Sequence, residues 1–351
     1  MKKMALWSLA LCVFSEPLWA GSLLFDTRVD YNSTTYNDDA GLPNFTKFYI
    51  KTGRLDYQGQ LNENLVYRAR IAFNKNPQPS VRDSTGAAVE YAYIQNKFSD
   101  MFSLSIGKNN TEIGGFEQAT SGADIYLASE SYNHSGPGGE LAGRNLATGD
   151  VYYMTGLKGI FSFGEQKLYA VVTNAETDHT SNGTDFDQNY SLYNLTWLGN
   201  FVDKALAVRV NYGQLAGPSE DDMNTFVGAG LQWNSQPILI TFDYLLTEFK
   251  EGATSDKDRL TSLILKFAYT GWENWIPRLE FTGSEEKREI GASETNKFHG
   301  IGGVIEYVPY KDSVFRYHAA VTNYTEEPET GGDKTKTEVI VGTRLLADFL
   351  K

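Results

Sequence analysis

The chain of 351 residues has one cysteine, Cys12, and four histidines. A single cysteine excludes an internal disulfide framework, so other contacts must hold the fold together. After residue 20 no segment approaches eighteen consecutive apolar residues, which argues against a transmembrane α-helix. The mean hydropathy of -0.37 is that of a water-soluble protein. A formal net charge of -13 argues against nucleic acid as a partner.

The first twenty residues have the pattern of a secretory signal peptide. Two lysines precede the apolar run 4–14, which is too short to cross a bilayer, and Ala20 ends a suitable cleavage site. A lipoprotein alternative at Cys12 is disfavoured because a bulky leucine precedes that cysteine. We therefore expect residues 1–20 to be removed and residues 21–351 to form the mature chain, which then contains no cysteine.

What the sequence does contain is alternation of apolar and polar side chains. In residues 206–213 the even positions are Leu, Val, Val and Tyr, whereas the odd positions are Ala, Arg, Asn and Gly. Residues 238–246 and 263–269 alternate in the same way. Successive side chains of a β-strand point to opposite faces, so each stretch has one apolar face and one polar face. A β-sandwich is one interpretation, but the repetition along the whole chain favours a membrane-spanning β-barrel.

The alternation predicts about sixteen strands. Their predicted ranges are 22–36, 44–58, 63–75, 87–98, 101–109, 149–163, 165–175, 188–199, 202–214, 223–235, 236–249, 258–270, 274–284, 296–308, 311–325 and 336–349. Tight turns and long polar loops alternate between them, so all short turns lie at one rim and all long loops at the other. This arrangement is typical of outer-membrane barrels, with short periplasmic turns and long extracellular loops. In hydrocarbon such a sheet must close, because unpaired backbone groups there are costly.

Aromatic residues gather near the predicted short turns, where amphipathic rings favour the headgroup level of a membrane. A buried core is the alternative explanation, but a core would not confine aromatics to segment ends. The residues of this predicted girdle are Phe98, Phe102, Trp197, Phe201, Trp233, Trp272, Trp275, Tyr307 and Tyr310.

The third loop, predicted at residues 110–148, is far longer than the other connections. A long segment of this kind in a compact fold is usually functional, and a barrel of sixteen strands has a lumen wide enough for water. The loop is rich in glycine and acidic residues, so we expect it to fold into the lumen; a disordered surface loop is the alternative. The predicted acidic residues of a pore constriction are Glu112, Glu117, Asp124 and Glu130.

Six cations are predicted to share one inward-facing wall of the first three strands: Arg28, Lys47, Lys51, Arg54, Arg68 and Arg70. A cation facing lipid at the bilayer midplane would cost about 2–4 kcal/mol, so these side chains must face the lumen. Placing Arg54 on this face requires a bulge, which we expect at Gly53.

These wall cations have two interpretations. Opposite an acidic loop they set up a transverse field across a narrow aqueous gap, which favours polar solutes over apolar ones. Alternatively Asp26, Asp30 and Asp56 neutralise the arginines as structural ion pairs. The sequence leaves both interpretations open.

The order of strands and loops resembles the trimeric porins of Gram-negative bacteria, in which the third loop narrows the channel. Residues 102–108 and the segment Glu112-Ile113-Gly114-Gly115-Phe116-Glu117 also resemble the phosphate-selective porin O and P group. The resemblance implies an outer-membrane homotrimer that passes small hydrophilic solutes and ions and lies among outer-membrane lipids and lipopolysaccharide.

The same resemblance assigns roles to residues on two sides of the constriction. It places Glu112, Glu117 and Asp124 on the acidic side; on the basic side it places Lys47, Arg68 and Arg70. The third loop is acidic rather than arginine-rich, so general diffusion is the preferred function and a channel specific for phosphate, other anions or sugars is the alternative.

An outer-membrane enzyme is a further alternative. His134 lies next to Ser135 in the glycine-rich loop, but no third partner is evident, so we expect no catalytic activity. Residues 135–143 lack the spacing and lysine of a phosphate-binding loop. Acidic pairs such as Asp38-Asp39 do not form a calcium-loop pattern, and we expect neither metal nor cofactor.

Overall fold

The computed structural model describes residues 21–37, 40–73, 87–132, 151–174, 191–216, 222–250, 256–290, 293–310 and 314–350. The predicted signal peptide, the Asp38-Asp39 pair, the His134-Ser135 pair and parts of several predicted long loops lie outside these residues. The expectation for residues 1–20 therefore stays a prediction.

Sixteen strands form one closed antiparallel sheet in which each strand pairs with its neighbours in the sequence and β1 pairs with β16. The predicted barrel is confirmed. The strands are β1 Ser22–Tyr36, β2 Phe45–Asn62, β3 Leu65–Ala72, β4 Ala88–Lys97, β5 Phe102–Asn110, β6 Tyr153–Phe163, β7 Gln166–Asn174, β8 Ser191–Phe201, β9 Leu206–Ala216, β10 Met223–Ser235, β11 Ile238–Lys250, β12 Lys257–Tyr269, β13 Trp275–Arg288, β14 Glu294–Tyr307, β15 Val314–Glu327 and β16 Lys334–Asp348.

The two faces of the barrel follow the sequence alternation. On β11, Ile240 and Phe242 are exposed on the outside, whereas Asp243 between Phe242 and Tyr244 is fully buried on the inside. Closure leaves no sheet edge, so the strands satisfy their own backbone groups where lipid offers no partner. Within the described parts of the chain, no helix is long and apolar enough to span a membrane.

The predicted bulge is present but lies earlier than Gly53. Arg28 pairs with Thr52 and Val29 pairs with Ile50, so the register shifts at Lys51. One extra residue reverses the side-chain alternation of a strand. For this reason Lys47 precedes the bulge and Arg54 follows it, yet both share the inward face.

The aromatic residues near the short turns contact one another on the outside of the barrel. Trp275 and Tyr307 have ring centroids 4.6 Å apart, and Phe98 and Phe102 are 5.7 Å apart. Tyr310, beyond the end of β14, is exposed. This placement is that of an interfacial girdle rather than a buried core.

Candidate functional site

The third loop connects β5 to β6, and residues 111–132 of it are described. Its start lies against β8 to β11. The Gly114 amide donates to Asn211 Oδ1 at 3.1 Å, and the Phe116 and Glu117 amides donate to the Asp243 carboxylate at 2.9 and 2.8 Å. These two amides begin the short helix α1, Phe116–Ala119, so a carboxylate of the barrel wall caps it.

The middle of the loop reaches the opposite wall. Arg28 Nη1 donates to the carbonyls of Ala123 and Ile125, both at 3.1 Å, and the Leu127 amide donates to Glu280 Oε2 at 3.0 Å. Since these partners lie on β1 and β13, the described part of the loop crosses the lumen. The predicted inward fold of the third loop is confirmed for residues 111–132.

Apolar side chains of the loop fix it to the inner wall. Ile113 is fully buried in a cluster with inward-facing side chains of β6, β8, β9 and β10; these are Met154, Leu192, Leu215 and Phe226. Tyr126 packs against Val304, Ala320 and Ile340 on the other side. Sequence analysis assigned such residues to no site, because it treated the inward face as polar throughout. These inward-facing apolar residues form the contact surfaces that hold the loop to the inner wall.

Glu112 is held by two cations of the wall next to it. Its carboxylate lies 3.2 Å from Lys158 Nζ on β6 and 3.0 Å from Arg209 Nη2 on β9. Burial raises the pKa of the Glu112 carboxyl, but the charges of Lys158 and Arg209 outweigh burial and hold the pKa below its ordinary value. Glu112 is thus a charged anchor of the loop, and its partners are not the predicted wall cations.

Glu117 and Glu130 are also buried and have their own partners. Ser129 donates to the Glu117 carboxylate from its amide at 3.1 Å and from its hydroxyl at 2.5 Å, and Lys266 Nζ on β12 lies 3.5 Å away. Glu130 accepts a hydrogen bond from the Tyr324 hydroxyl on β15. Both acids therefore stabilise the loop and present little carboxylate surface to the lumen.

Asp124 differs from the other three acids, because 26 % of its side chain is exposed. Its Oδ1 accepts hydrogen bonds from Arg316 and, at 2.6 Å, from Arg344 Nη1. Its backbone carbonyl accepts a hydrogen bond from Arg278 Nη2 at 3.2 Å. Burial raises the pKa of Asp124, but Arg316 and Arg344 outweigh it and lower the pKa below the ordinary value.

The arginines of the predicted basic wall face inward, and each has an acidic neighbour. Arg28 pairs with Asp30 at 2.9 Å, and Arg68 pairs with Asp56 at 2.5 Å. Arg54 and Arg70 both approach Glu90 on β4, at 3.0 and 2.8 Å. The interpretation as structural ion pairs thus describes these four arginines, with Glu90 as a partner that the sequence did not suggest.

The two predicted wall lysines lie nearer the long-loop rim. Lys47 Nζ is 5.0 Å from the Tyr49 ring centroid and 5.3 Å from that of Phe45. Lys51 lies at the bulge and its side chain is exposed. Neither lies among the arginine–carboxylate pairs of Arg54, Arg68 and Arg70.

The acidic residues of the third loop are therefore paired with cations other than the predicted wall cations. A second set of inward cations, absent from our predicted site, holds the third loop: Lys158, Arg209, Lys266, Arg278, Arg316 and Arg344. All lie on the inward-facing side of their strands. The alternation of side chains along each strand is the signal that could have identified them. Arg209, for example, lies at a polar position of the alternating stretch 206–213.

At two ion pairs of the lumen wall, the guanidinium group is more exposed than the carboxylate paired with it. The side chain of Arg68 is 24 % exposed and that of Asp56 is 7 % exposed; for Arg278 and Glu280 the values are 16 % and 0 %. Asp56 and Glu280 are buried. The order is reversed at Arg344, whose side chain is 7 % exposed, whereas those of its partners Asp26 and Asp124 are 12 % and 26 % exposed.

Two of the four histidines lie among the described residues, and each is beside an acid. His318 is buried, with Nε2 2.9 Å from Asp30 Oδ1, and His299 lies on the outside 3.7 Å from Glu327. His134 and His179 lie outside the described residues. Over the described ranges, no group of three or more His, Cys, Asp or Glu side chains is placed to hold a metal ion.

Solved structures similar to this chain are porins and outer-membrane channels. An anion-selective porin from Comamonas acidovorans aligns with 13 % identity and a TM-score of 0.69 over 93 % of this chain and 99 % of that one. The channel DcaP of Acinetobacter baumannii aligns with 11 % identity and a TM-score of 0.66 over 95 % and 99 %. The trimer form of OmpT, an outer membrane protein of Vibrio cholerae, aligns with 14 % identity and a TM-score of 0.60 over 93 % and 100 %.

At these identities the structural matches establish the fold. A search of curated proteins finds no match. A family model for the phosphate-selective porins O and P matches residues 24–255, more than half of the chain. The chain belongs to the phosphate-selective porin O and P family, and it forms an outer-membrane porin channel with a barrel of sixteen strands.

Proposed function

We propose that the protein passes small hydrophilic solutes and ions by passive diffusion, through a lumen that the third loop narrows. The observation that carries this proposal is the course of residues 111–132, which bond to β9 and β11 on one side and to β1 and β13 on the other. In this proposal Asp124 is the acid that solutes meet, whereas Glu112, Glu117 and Glu130 hold the constriction in shape.

The basic side of the proposed constriction is the arginine wall of β1 to β3. Arg54, Arg68 and Arg70 contribute accessible guanidinium groups, and Arg28 holds the loop to the wall. Lys47 and Lys51 would meet solutes first, at the extracellular end of the same wall. Fixed charges that replace part of a solute's hydration favour polar solutes over apolar ones.

Removing the loop tests the constriction. Replacing residues 112–131 by a short Gly-Ser linker should raise single-channel conductance in a planar bilayer severalfold, because the proposed obstruction is gone. The control replaces the turn at 99–101 by a linker of the same composition, which should leave conductance unchanged. A conductance that stays at the wild-type value without the loop would contradict the proposal.

Preference for anions is a second candidate function, supported by the greater exposure of Arg68 and Arg278 than of their partners Asp56 and Glu280. The family description names phosphate, and the similar porin from Comamonas acidovorans is described as anion-selective. The reversal potential in a KCl gradient measures this preference. Current that saturates as phosphate concentration rises supports a specific channel, whereas unsaturable current supports general diffusion.

We also propose a homotrimer without enzymatic activity. The trimer form of the similar OmpT supports the first part, and membership of a porin family supports the second. Light scattering of the protein in detergent should give three times the mass of one chain. A monomer under conditions that preserve the barrel would contradict the trimer.

A further inference from the structure

A recess opens in the inner wall of the barrel near the short turn between β2 and β3. Its volume is about 460 Å³, and sites for small molecules typically have volumes of about 300–1,000 Å³. We name it the short-turn recess. Its inward-facing side chains come from the first four strands and are Ser22, Gln58, Gln60, Val66, Arg68 and Tyr93. Leu350, beyond the end of β16, also lines it.

Four of these residues form one row across the sheet. Ser22 on β1 pairs with Gln58 on β2, and Gln58 pairs with Arg68 on β3. Arg68 in turn pairs with Tyr93 on β4. Residues directly opposite each other project from the same face and have Cβ atoms about 4.5–5.5 Å apart. A cation and an aromatic ring therefore lie side by side on the lumen wall, next to two polar side chains.

The short-turn recess lies on the periplasmic side of the third loop. On β2, Arg54 Nη1 donates to Ser121 Oγ of the loop at 3.3 Å. Gln58 follows four residues later toward the short turn, a distance of about 13 Å along a strand. Short turns of outer-membrane barrels lie at the periplasmic rim. A solute therefore reaches the recess from the periplasm without passing the loop.

Arg68 keeps a charged edge open although it has an ion pair. Its Nε and Nη2 donate to the Asp56 carboxylate at 2.9 and 2.5 Å. Its Cζ lies 4.1 Å from the centroid of the Tyr91 ring, so these two contacts fix the guanidinium plane. Within the described part of the chain, Nη1 donates to no acceptor. A planar guanidinium edge held in this way matches the geometry of a carboxylate.

Beside this edge the wall of the recess is mainly apolar. Val66 lies two residues before Arg68 on the same face of β3, and the Tyr93 ring lies on the other side of it. A hydrated phosphate ion gains nothing from such a surface. A ring leaves water favourably against it, and two aromatic rings also attract each other. Arg68 thus selects a carboxylate, whereas its neighbours select a ring.

Asp348 is a carboxylate that also lines the recess, at its far end. Its Oδ1 accepts from the amides of Leu23 and Leu350, both at 3.1 Å. From β16 to β3 there are three steps between neighbouring strands, which correspond to about 14 Å. The Debye length at physiological ionic strength is about 8 Å, so salt screens Asp348 from an anion bound at Arg68.

We propose that the short-turn recess binds aromatic carboxylates, with the carboxylate at Nη1 of Arg68 and the ring against Tyr93 and Val66. The proposal names a class of solute and therefore rests on the proposed diffusion through the lumen. The dissociation constant should be on the order of 1 mM, because a solute of a channel has to leave its site again.

The charge is tested with 4-fluorobenzoate, whose binding to the full chain in detergent is followed by ¹⁹F NMR. Arg68→Gln should weaken binding at least about tenfold, because it removes the charged hydrogen-bond donor. The matched control is Arg288→Gln. Arg288 is 25 % exposed and pairs with the buried Glu286 at 2.8 Å, but it lies at the long-loop end of β13. This control should stay within about twofold of wild type, since its distance exceeds the screening length.

The ring is tested with a second pair of variants and a second ligand. Tyr93→Leu should weaken 4-fluorobenzoate by about threefold and leave cyclohexanecarboxylate unchanged, because ring pairing is lost and apolar contact is kept. The control is Tyr169→Leu on β7, which removes an aromatic ring 5.9 Å from the Lys158 ammonium on the other side of the lumen. Both ligands should bind this control as they bind wild type.

Competition on the wild-type protein needs no variant, so it does not depend on whether a variant folds. Benzoate should displace 4-fluorobenzoate, whereas inorganic phosphate and acetate at the same concentration should not. Neutral 4-fluorobenzamide should bind much more weakly than 4-fluorobenzoate. Displacement by phosphate as strong as by benzoate would overturn the proposal, and so would equal weakening in Arg68→Gln and Arg288→Gln. Equal binding of the neutral amide would also overturn it.

The variant that lacks residues 112–131 separates this proposal from the function of the pore. Its affinity for 4-fluorobenzoate should stay within about twofold of wild type, because the recess lies about 13 Å from the loop contact on β2. Lost affinity together with the expected rise in conductance would contradict the recess alone. Unchanged conductance together with wild-type affinity would contradict the constriction alone.

Discussion

Two sides of the lumen use their cations differently. On β6 and β9, Lys158 and Arg209 lie beneath the third loop, with side chains 9 % and 4 % exposed, and both contact Glu112. On β3 and β13, Arg68 and Arg278 have buried acidic partners of their own and keep part of their guanidinium groups in water. The two cations that the loop covers act as anchors only, whereas Arg278 donates to the Asp124 carbonyl of the loop and still meets water.

The arginines that face one another on β1, β16 and β15 tolerate this arrangement because acids lie between them. Arg344 on β16 lies directly opposite Arg28 on one side and Arg316 on the other. Asp26 accepts from Arg344 at 3.0 Å, and Asp124 bonds to Arg344 and Arg316. Since Asp124 comes from the loop, the loop itself neutralises part of the wall that it narrows.

The largest expected effect is on the covered side. Glu112→Gln leaves Lys158 and Arg209 buried without a carboxylate, and breaking a buried ion pair from one side costs about 3–5 kcal/mol. The start of the loop should detach, so the loop should be cut by protease faster than in wild type and the open-channel current should become noisier. Glu285→Gln, which removes an exposed carboxylate from Lys287, is the matched control. Wild-type protease resistance of the loop in Glu112→Gln would contradict the role of Glu112 as an anchor.

A smaller effect is expected from the acid on the open side. Asp124→Asn keeps the shape of the side chain but removes the negative charge beside Arg316 and Arg344. The ratio of anion to cation permeability should rise by roughly threefold in a KCl gradient, because fixed charge in a narrow aqueous path governs ion preference. Glu327→Gln, on the outside of the barrel, should leave the ratio unchanged. A ratio that falls or stays constant in Asp124→Asn would show that solutes do not pass this residue.

Arg68→Gln should change the permeability ratio in the opposite direction from Asp124→Asn, and by a smaller factor. The ratio of anion to cation permeability should fall by about half, since one of several accessible guanidinium groups is lost. Lys204→Gln, at a short turn, is the control with the same loss of charge. An unchanged ratio in Arg68→Gln would confine the proposed path to the side of Arg278 and Arg316.

The smallest effect concerns pH. The pKa values of Glu112 and Asp124 lie below their ordinary values in the folded protein. A lowered pKa gives stability that is present above the unfolded-state pKa and is lost as pH falls through the folded-state pKa. The contribution of these two acids to conductance and loop protection should therefore stay constant from pH 8 to about pH 5 and be lost only below about pH 4. Glu112→Gln and Asp124→Asn should each remove part of the change below pH 4, and a change of wild-type size in both variants would contradict the two ion-paired assignments.

The strands were predictable wherever one face meets lipid. Strand β1 was predicted at 22–36 and β10 at 223–235, and both have these bounds in the structure. The predicted end of β13 at 284 was too early, because the strand continues to Arg288. Beyond the apolar band both faces of a strand are polar, so the alternation disappears although the backbone ladder continues.

The site was predictable only in part. The alternation of side chains identified the inward cations of β1 and the next two strands but was not applied to those of the later strands, and length and composition identified the loop that enters the lumen. The partner of each acid was not predictable, because the contact of Glu112 with Arg209 depends on the path of the loop across several strands. A polar interior does not predict apolar side chains such as the inward-facing Leu192 and Phe226. The structure explains them, because Ile113 of the third loop is buried in the same apolar cluster.

The seam between β1 and β16 has a consequence for biogenesis. The Phe349 amide donates to the Leu23 carbonyl at 2.9 Å, the Leu23 amide donates to Asp348 Oδ1 at 3.1 Å, and the rings of Phe25 and Phe349 stack 5.9 Å apart. The first strand of the barrel along the chain thus pairs with the sixteenth. Until they meet, β1 has an open edge that hydrocarbon does not tolerate. We therefore expect insertion into the membrane to be concerted with closure of this seam.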